Sequence, residues 1–269
     1  MRHRHHARRP LFRPCGSDHQ TRNGENRVKL FCLPYAGASA AIYMKWKKTL
    51  EPVAECVPLE LAGRGVRSQE PFYEGMEDAS EDVLEQLTRR MDGTPYAVFG
   101  HSMGGMILYE VARKIRQRML PPPSALIFSG RPAPDIPRAE APIHELPADE
   151  FAEKIVAMGA TSKEIFSMPA LMNVFVPVLR ADFRLVETYR YEEAEPLPWR
   201  LTAIAGTEEK WTDAELEAWH RHTSEGCRIA RLPGGHFYWQ HDAETLHSHL
   251  IDVLQHANRT ETFARGGLE

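Results

Sequence analysis

Apolar residues fall in short runs separated by amphipathic stretches, and the alternation is regular over most of the chain. "VKLFCLPYAG" (28–37) is an apolar run closed by proline and glycine, which predicts a buried strand feeding a loop. "ECVPLEL" (55–61), "YAVFG" (96–100), "ALIFSG" (125–130), "LTAIAG" (201–206) and "CRIARL" (227–232) read the same way. Between them the spacing becomes helical: 42–50, 76–91 with Val83, Leu84 and Leu87 on one face, 104–119 with Ile107, Leu108, Val111 and Ile115, 213–222, and 243–256. Pro121, Pro122 and Pro123 stop the third of these. Strands that are apolar throughout and separated by helices predict an α/β fold, with a mostly parallel sheet covered on both faces.

The alternation breaks at 131–198, which contains no strand pattern. "LPADEFAEKIVAMG" and "MPALMNVFVPVLRADFRLVETY" are helical, and Leu171, Phe175, Leu179 and Phe183 recur every four residues as one apolar stripe. Pro177 is expected to start a second helix within that stretch. This block is an insertion near the strands' C-terminal ends.

"GHSMG" (100–104) fits G-x-S-x-G and lies between a predicted strand and a predicted helix, the context of a nucleophile elbow. Gly100 and Gly104 let the backbone turn sharply and hold Ser102 at the apex. The following helix directs its N-terminal N–H groups at the reacting centre, so Met103 N–H is one candidate oxyanion donor. A serine hydroxyl needs a base, and the chain has thirteen histidines. His236 is singled out because it follows strand 227–232 through "PGG", in a loop at a strand's C-terminal end. His220 and His222 flank an exposed-looking helix end, His241, His247, His249 and His256 belong to the last helix, and His101 points elsewhere if Ser102 is at the apex.

The carboxylate that fixes the base's tautomer should follow a strand between Ser102 and His236. "LTAIAGTEEKWTD" offers Glu208, Glu209 and Asp213. Glu209, third past Gly206, is preferred, and Asp213 is read as capping or charging the next helix. The small residues of "PYAGAS" (34–39) let Ala36 N–H approach the developing oxyanion as the second donor.

With these pieces in place the chain resembles the type II thioesterases of nonribosomal peptide and polyketide assembly lines. It is also similar to the medium-chain S-acyl fatty acid synthase thioesterase. The resemblance runs from about Lys29 to Leu254 and rests on "FCLPYAGAS", "LAGRGVR", "FGHSMGGMI", "LPADEF", "VPVLRADFRLVETY" and "LPGGHFY", in that order. It implies an α/β-hydrolase fold with a helical lid. It also implies a Ser–Asp–His triad that hydrolyses acyl groups from the 4′-phosphopantetheine arm of carrier proteins, with no metal or organic cofactor. Carried over, Ser102 is the nucleophile, His236 the base, and Ala36 and Met103 the oxyanion donors; Phe175, Leu179 and Phe183 of the lid would cover the acyl group. Three positions depart from the pattern: Glu209 stands where Asp is usual, Ala38 where a second glycine is usual, and Ala62 where proline is usual. The first leaves the acid open between Glu209 and Asp213.

Other readings stay open at this level: a small-ester carboxylesterase or lipase, an acyl transferase between carriers, and a non-catalytic synthetase partner. Ser102 argues against the transferase, whose relatives tend to use cysteine.

Composition refines the picture at the ends of the chain. Residues 1–27 carry seven arginines against one aspartate and one glutamate, and are read as a disordered basic arm. The arm lacks the apolar stretch of a secretory signal, and its His3, His5 and His6 are read as part of an unstructured leader rather than a metal site. Residues 28–257 form a single domain, and 258–269 are expected to fray. The net charge is −4, so the body is acidic. Docking of an acidic carrier must then be local; Arg64, with Arg67 beside it near the predicted mouth, is the preferred docking cation, while Arg113, Lys114, Arg116 and Arg118 of "ARKIRQR" (112–118) are read as a solvated helix face. Cys15, Cys32, Cys56 and Cys227 show no paired-ligand spacing, which fits a reducing, cytoplasmic setting. The protein is expected to be monomeric, away from membranes and nucleic acid.

Overall fold

The computed structural model describes residues 27–159 and 168–266. The proposed arm, including Cys15 and the three early histidines, lies outside the described residues apart from Arg27, as do 267–269.

Six strands form one parallel sheet: β1 (Val28–Leu33), β2 (Ala54–Pro58), β3 (Tyr96–His101), β4 (Ala125–Ser129), β5 (Leu201–Gly206) and β6 (Cys227–Leu232), in the order β2-β1-β3-β4-β5-β6. All pairings are parallel. Every strand therefore ends at the same sheet edge, and the order reverses at β1, where α/β sheets place their ligands.

Successive strand residues face opposite sides, and this period of two builds two cores. Phe31, Val98, Leu126 and Phe128 pack beneath α2 (Met76–Thr88) and α3 (Met103–Gln117). Leu30, Cys32, Phe99 and Ile127 pack beneath α1 (Trp46–Leu50) and the C-terminal helix. Phe31 and Phe99 are fully buried, and each contributes about 1.5–3 kcal/mol relative to exposure. Cys32 and Cys56 are buried free thiols, as small apolar side chains would be.

The insertion between β4 and β5 carries α4 (Ala148–Ala157) and α5 (Pro169–Thr188). Its one β contact among the described residues is a single bridge, Leu197 to Thr223. Pro177 lies inside α5 rather than opening a new helix. The helix survives because burial begins just beyond it, at Val178, Leu179, Asp182 and Leu185, and tertiary packing outweighs the lost N–H bond. Leu179 joins Ile143, Phe151 and Ile155 in a small separate core.

After β5 come α6 (Asp213–Glu217) and a 3-10 turn (Ala218–His222), then β6, α7 (Tyr238–His241) and α8 (Ala243–Gly266). The helix α8 continues past 258, where fraying was expected. No proline interrupts it and its first glycine is Gly266, so backbone hydrogen bonding propagates. Among the described residues, no helix is long and apolar enough to cross a membrane.

Candidate active site

Ser102 sits between the end of β3 and the start of α3 with φ 54° and ψ −115°, one of two non-glycine residues with positive φ among those described. Such a conformation costs on the order of 1–3 kcal/mol and survives only where its surroundings enforce it. Here they do. Ser102 N–H donates to Ser129 O on β4 at 2.7 Å, and Ser102 O accepts from Gly105 N–H at 3.0 Å.

The flanking glycines are required by contact as well as by turning. A Cβ on Gly100 would lie 2.5 Å from the Gly104 carbonyl, and one on Gly104 would lie 2.3 Å from Leu33 O. These obstacles are backbone atoms, which cannot rotate away. Gly104→Ala is expected to destabilise the fold by about 3 kcal/mol, read as a lower denaturant midpoint. An unchanged midpoint would mean that α3 can slide off the β1 loop.

Glu209 and His236 come from neighbouring loops beyond β5 and β6, and those loops are sewn together. Thr207 N–H donates to Leu232 O at 2.8 Å and Glu208 N–H to Gly234 O at 2.9 Å. Gly234 N–H donates back to Thr207 Oγ1 at 3.2 Å. Gly206 is pressed so close to the Gly234 and Gly235 carbonyls that a Cβ would lie 2.4 Å from each. This seam brings His236 Nδ1 to 2.6 Å from Glu209 Oε1.

The carboxylate is 4% exposed. Its Oε2 accepts Gly206 N–H at 2.8 Å, and Oε1 also accepts Trp211 Nε1–H at 3.3 Å. The extra methylene of Glu is thus taken up by folding the side chain back onto its own turn. Asp213 goes elsewhere: it is 88% exposed and pairs with Arg231 at 2.8 Å. Thr212 caps α6 through a reciprocal bond pair with Glu215, so Asp213 adds charge to the helix's first turn without capping it.

His236 reaches the nucleophile's neighbourhood through His101, whose ring centroid is 4.9 Å away. Among the described residues the Ser102 hydroxyl takes no hydrogen bond, so the contact between the candidate nucleophile and the candidate base is not closed in this state. In unliganded sites such bonds are often long and tighten on substrate binding.

His101 itself is fully buried, and its Nδ1 lies 2.7 Å from Ser129 Oγ, which lies 2.7 Å from Tyr238 Oη. Its pKa lies well below the usual histidine value, because burial disfavours the cation and His236 adds like charge, with the His236 backbone offsetting only part. Its Nε2 has no hydrogen bond of good geometry. A neutral His101 places no second positive charge beside His236. Sequence reading missed this Tyr238–Ser129–His101 chain. Its members are far apart along the chain, and the signal was slight: His101 and Ser129 end β3 and β4, while Tyr238 opens the helix after β6.

The candidate oxyanion donors lie where β1 and β3 are neighbours. Neither Ala36 N–H nor Met103 N–H has a hydrogen-bond partner among the described residues. Over the Ala36 loop lies α5: Leu179 Cδ2 would be 2.5 Å, and Phe175 Cζ 3.6 Å, from a Cβ on Gly37. Phe183 sits farther along, edge-on to Phe151 with ring centroids 6.0 Å apart.

The expected docking cation is already engaged, and the basic face of α3 is paired as well. Arg64 is 5% exposed and forked onto Asp182 at 2.5 and 2.6 Å. Arg67 pairs with Glu70 and Asp82, Arg113 with Glu110, Lys114 with Glu77 and Glu81, Arg116 with Glu195, and Arg118 with Glu81. His222 is buried rather than exposed, held between Tyr109 Oη at 2.9 Å and an Asp135 oxygen at 2.8 Å. It therefore serves the packing behind α3, away from the elbow.

One end of the sheet thus gathers a strained serine elbow, a buried carboxylate against a partly exposed imidazole, a helical cover and two N–H groups with no partner among the described residues. The family model "Thioesterase domain" matches residues 28–254. The gramicidin S biosynthesis protein GrsT of Aneurinibacillus migulanus is 33% identical, over 80% of this chain and 84% of its own. The crystal structure of ClbQ from the colibactin NRPS/PKS pathway superposes with a TM-score of 0.82 at 33% identity, covering 87% of this chain and 99% of that one. The type II thioesterase BorB from the borrelidin biosynthetic cluster gives 0.76 at 30% identity, covering 85% and 93%. The resemblance read from the motifs is borne out, and the chain belongs to the thioesterase family.

Proposed function

We propose that this protein is an editing enzyme that frees acyl groups from the 4′-phosphopantetheine arm of acyl- or peptidyl-carrier proteins in nonribosomal peptide or polyketide synthesis. The observation that carries the mechanism is the 2.6 Å contact between Glu209 and His236, on loops sewn together beside the Ser102 elbow. His236 takes the Ser102 proton through Nε2 while Glu209 stabilises the resulting imidazolium through Nδ1. Ser102 Oγ attacks the thioester carbonyl, and the negative oxygen that forms is met by the N–H groups of Ala36 and Met103. Collapse of the tetrahedral centre breaks the C–S bond, and the pantetheine sulfur leaves with the proton from His236. Water then repeats the sequence on the acyl-serine and releases the acid.

A thiol leaves more readily than an alcohol or an amine, so the site has little need of strong leaving-group protonation. That favours thioesters over oxygen esters. Phe175, Leu179 and Phe183 are assigned to the acyl side of the lid, with Leu179 closest to the oxyanion loop. The test is release of acid from a panel of acyl-loaded carrier proteins, set against oxygen esters of the same acids. Turnover of the carrier thioesters at least tenfold above the esters is expected. A strong preference for the esters would make this a carboxylesterase.

A further inference from the structure

The mechanism above uses the loop between β1 and the first helix for one N–H group, yet that loop is held from two directions by carboxylates. Glu60 accepts from Ser39 Oγ at 2.6 Å and from Ala40 N–H at 3.0 Å, pinning the far end. Asp182, from the middle of the lid helix α5, accepts the N–H of Gly37 at 2.7 Å. Arg64 holds that same carboxylate with a two-pronged fork and also touches Ala38 O at 3.4 Å. Both charges are almost wholly removed from water, at 5% and 1% exposure. A buried ion pair is seldom retained for stability, since apolar residues of similar volume often serve as well.

We propose that Asp182, neutralised by Arg64, is a positioning residue for the oxyanion hole. This rests on the role given above to Ala36. Gly37 has φ +83°, a conformation that glycine can leave at little cost. The carboxylate fixes the peptide between Ala36 and Gly37 and occupies the Gly37 N–H. The Ala36 N–H is left as the donor facing the nucleophile. Arg64 is needed because a bare carboxylate so close would repel the oxyanion as it forms. Because Asp182 belongs to α5, the hole is complete only while that part of the lid is seated. The lid helix thereby contributes to the chemical step as well as covering the acyl chain.

The test uses paired variants, so that no buried charge is left alone. Arg64→Met with Asp182→Leu removes the acceptor for Gly37. Arg64→Gln with Asp182→Asn removes the charges but keeps a side-chain oxygen at 182. Each is assayed with the acetyl thioester of N-acetylcysteamine and by the rate of labelling with a fluorophosphonate. The apolar pair is expected to lose about tenfold to a hundredfold in kcat, with KM within about twofold, an unchanged melting temperature and parallel slowing of the label. The amide pair should stay within about threefold of the parent. An apolar pair with parent kcat, a change confined to KM, or equal losses in two folded pairs would each overturn the proposal.

Amide exchange at Gly37 in the parent protein gives a reading that needs no variant. Protection is expected, and exchange at the rate of open solvent would refute the clamp. The acetyl thioester and the phosphonate report on the hole whether or not carrier proteins are the substrate. Failure of the carrier assay with normal labelling would therefore count against the proposed function and leave the clamp standing.

Discussion

Ser102→Ala should abolish thioester hydrolysis, lowering kcat by on the order of 10⁵–10⁶, while the protein melts as the parent does. The size of the effect follows from the mechanism: without the hydroxyl no acyl-enzyme forms, and water must attack an unactivated carbonyl. The neutral effect on folding follows from the backbone. Alanine carries the same Cβ as serine at φ 54°, so the strain at the elbow is unchanged. Among the described residues the hydroxyl makes no hydrogen bond that its removal would forfeit. Acid release from an acyl-loaded carrier, followed alongside a thermal melt, checks both halves. Residual turnover within about tenfold of the parent would remove Ser102 from the mechanism.

Glu209→Gln should cost about 10⁴ in kcat, whereas Asp213→Asn should stay within about twofold. The asymmetry rests on acceptor count. Both oxygens of Glu209 accept: Oε1 from His236 and Trp211, and Oε2 from Gly206 N–H. Glutamine has one acceptor oxygen. It must either turn its NH₂ toward Gly206 N–H or present it to His236 Nδ1, which then loses its proton and holds the wrong tautomer. Asp213 is solvent-exposed and bound to Arg231, where a surface pair contributes little. A collapse of turnover in Asp213→Asn with Glu209→Gln intact would reverse the assignment.

The fold was legible because it rests on local patterns. Apolar runs of five or six residues bounded by Gly, Pro and polar clusters marked all six strands, and β5 and β6 have the predicted limits. The elbow and the His236 loop were legible because each is a short motif at a strand's end. Glu209 could be preferred by its distance from Gly206, but the hydrogen bonds that hold its carboxylate against His236 come from Gly206 N–H and Trp211 Nε1–H, which spacing does not encode.

What stayed hidden depended on partners far away in the chain. Arg64 looked like a free cation near the mouth because Asp182, its partner, is 118 residues distant. His222 looked exposed because Tyr109 and Asp135 are separated from it by more than eighty residues. Pro177 looked like a helix start because the rule for proline is local, whereas the packing that holds α5 together is not.

The seam between the β5 and β6 loops bears on how the enzyme comes into being. Ribosomes add about 5–20 residues per second, so Ser102 emerges on the order of ten seconds before His236. On the proposed mechanism, until β6 docks at the sheet's margin that alcohol has no proton acceptor and stays inert toward thioesters. Any nascent or truncated product lacking the last strand would then leave nearby thioesters intact, and on the proposed mechanism reactivity is switched on by the final strand pairing.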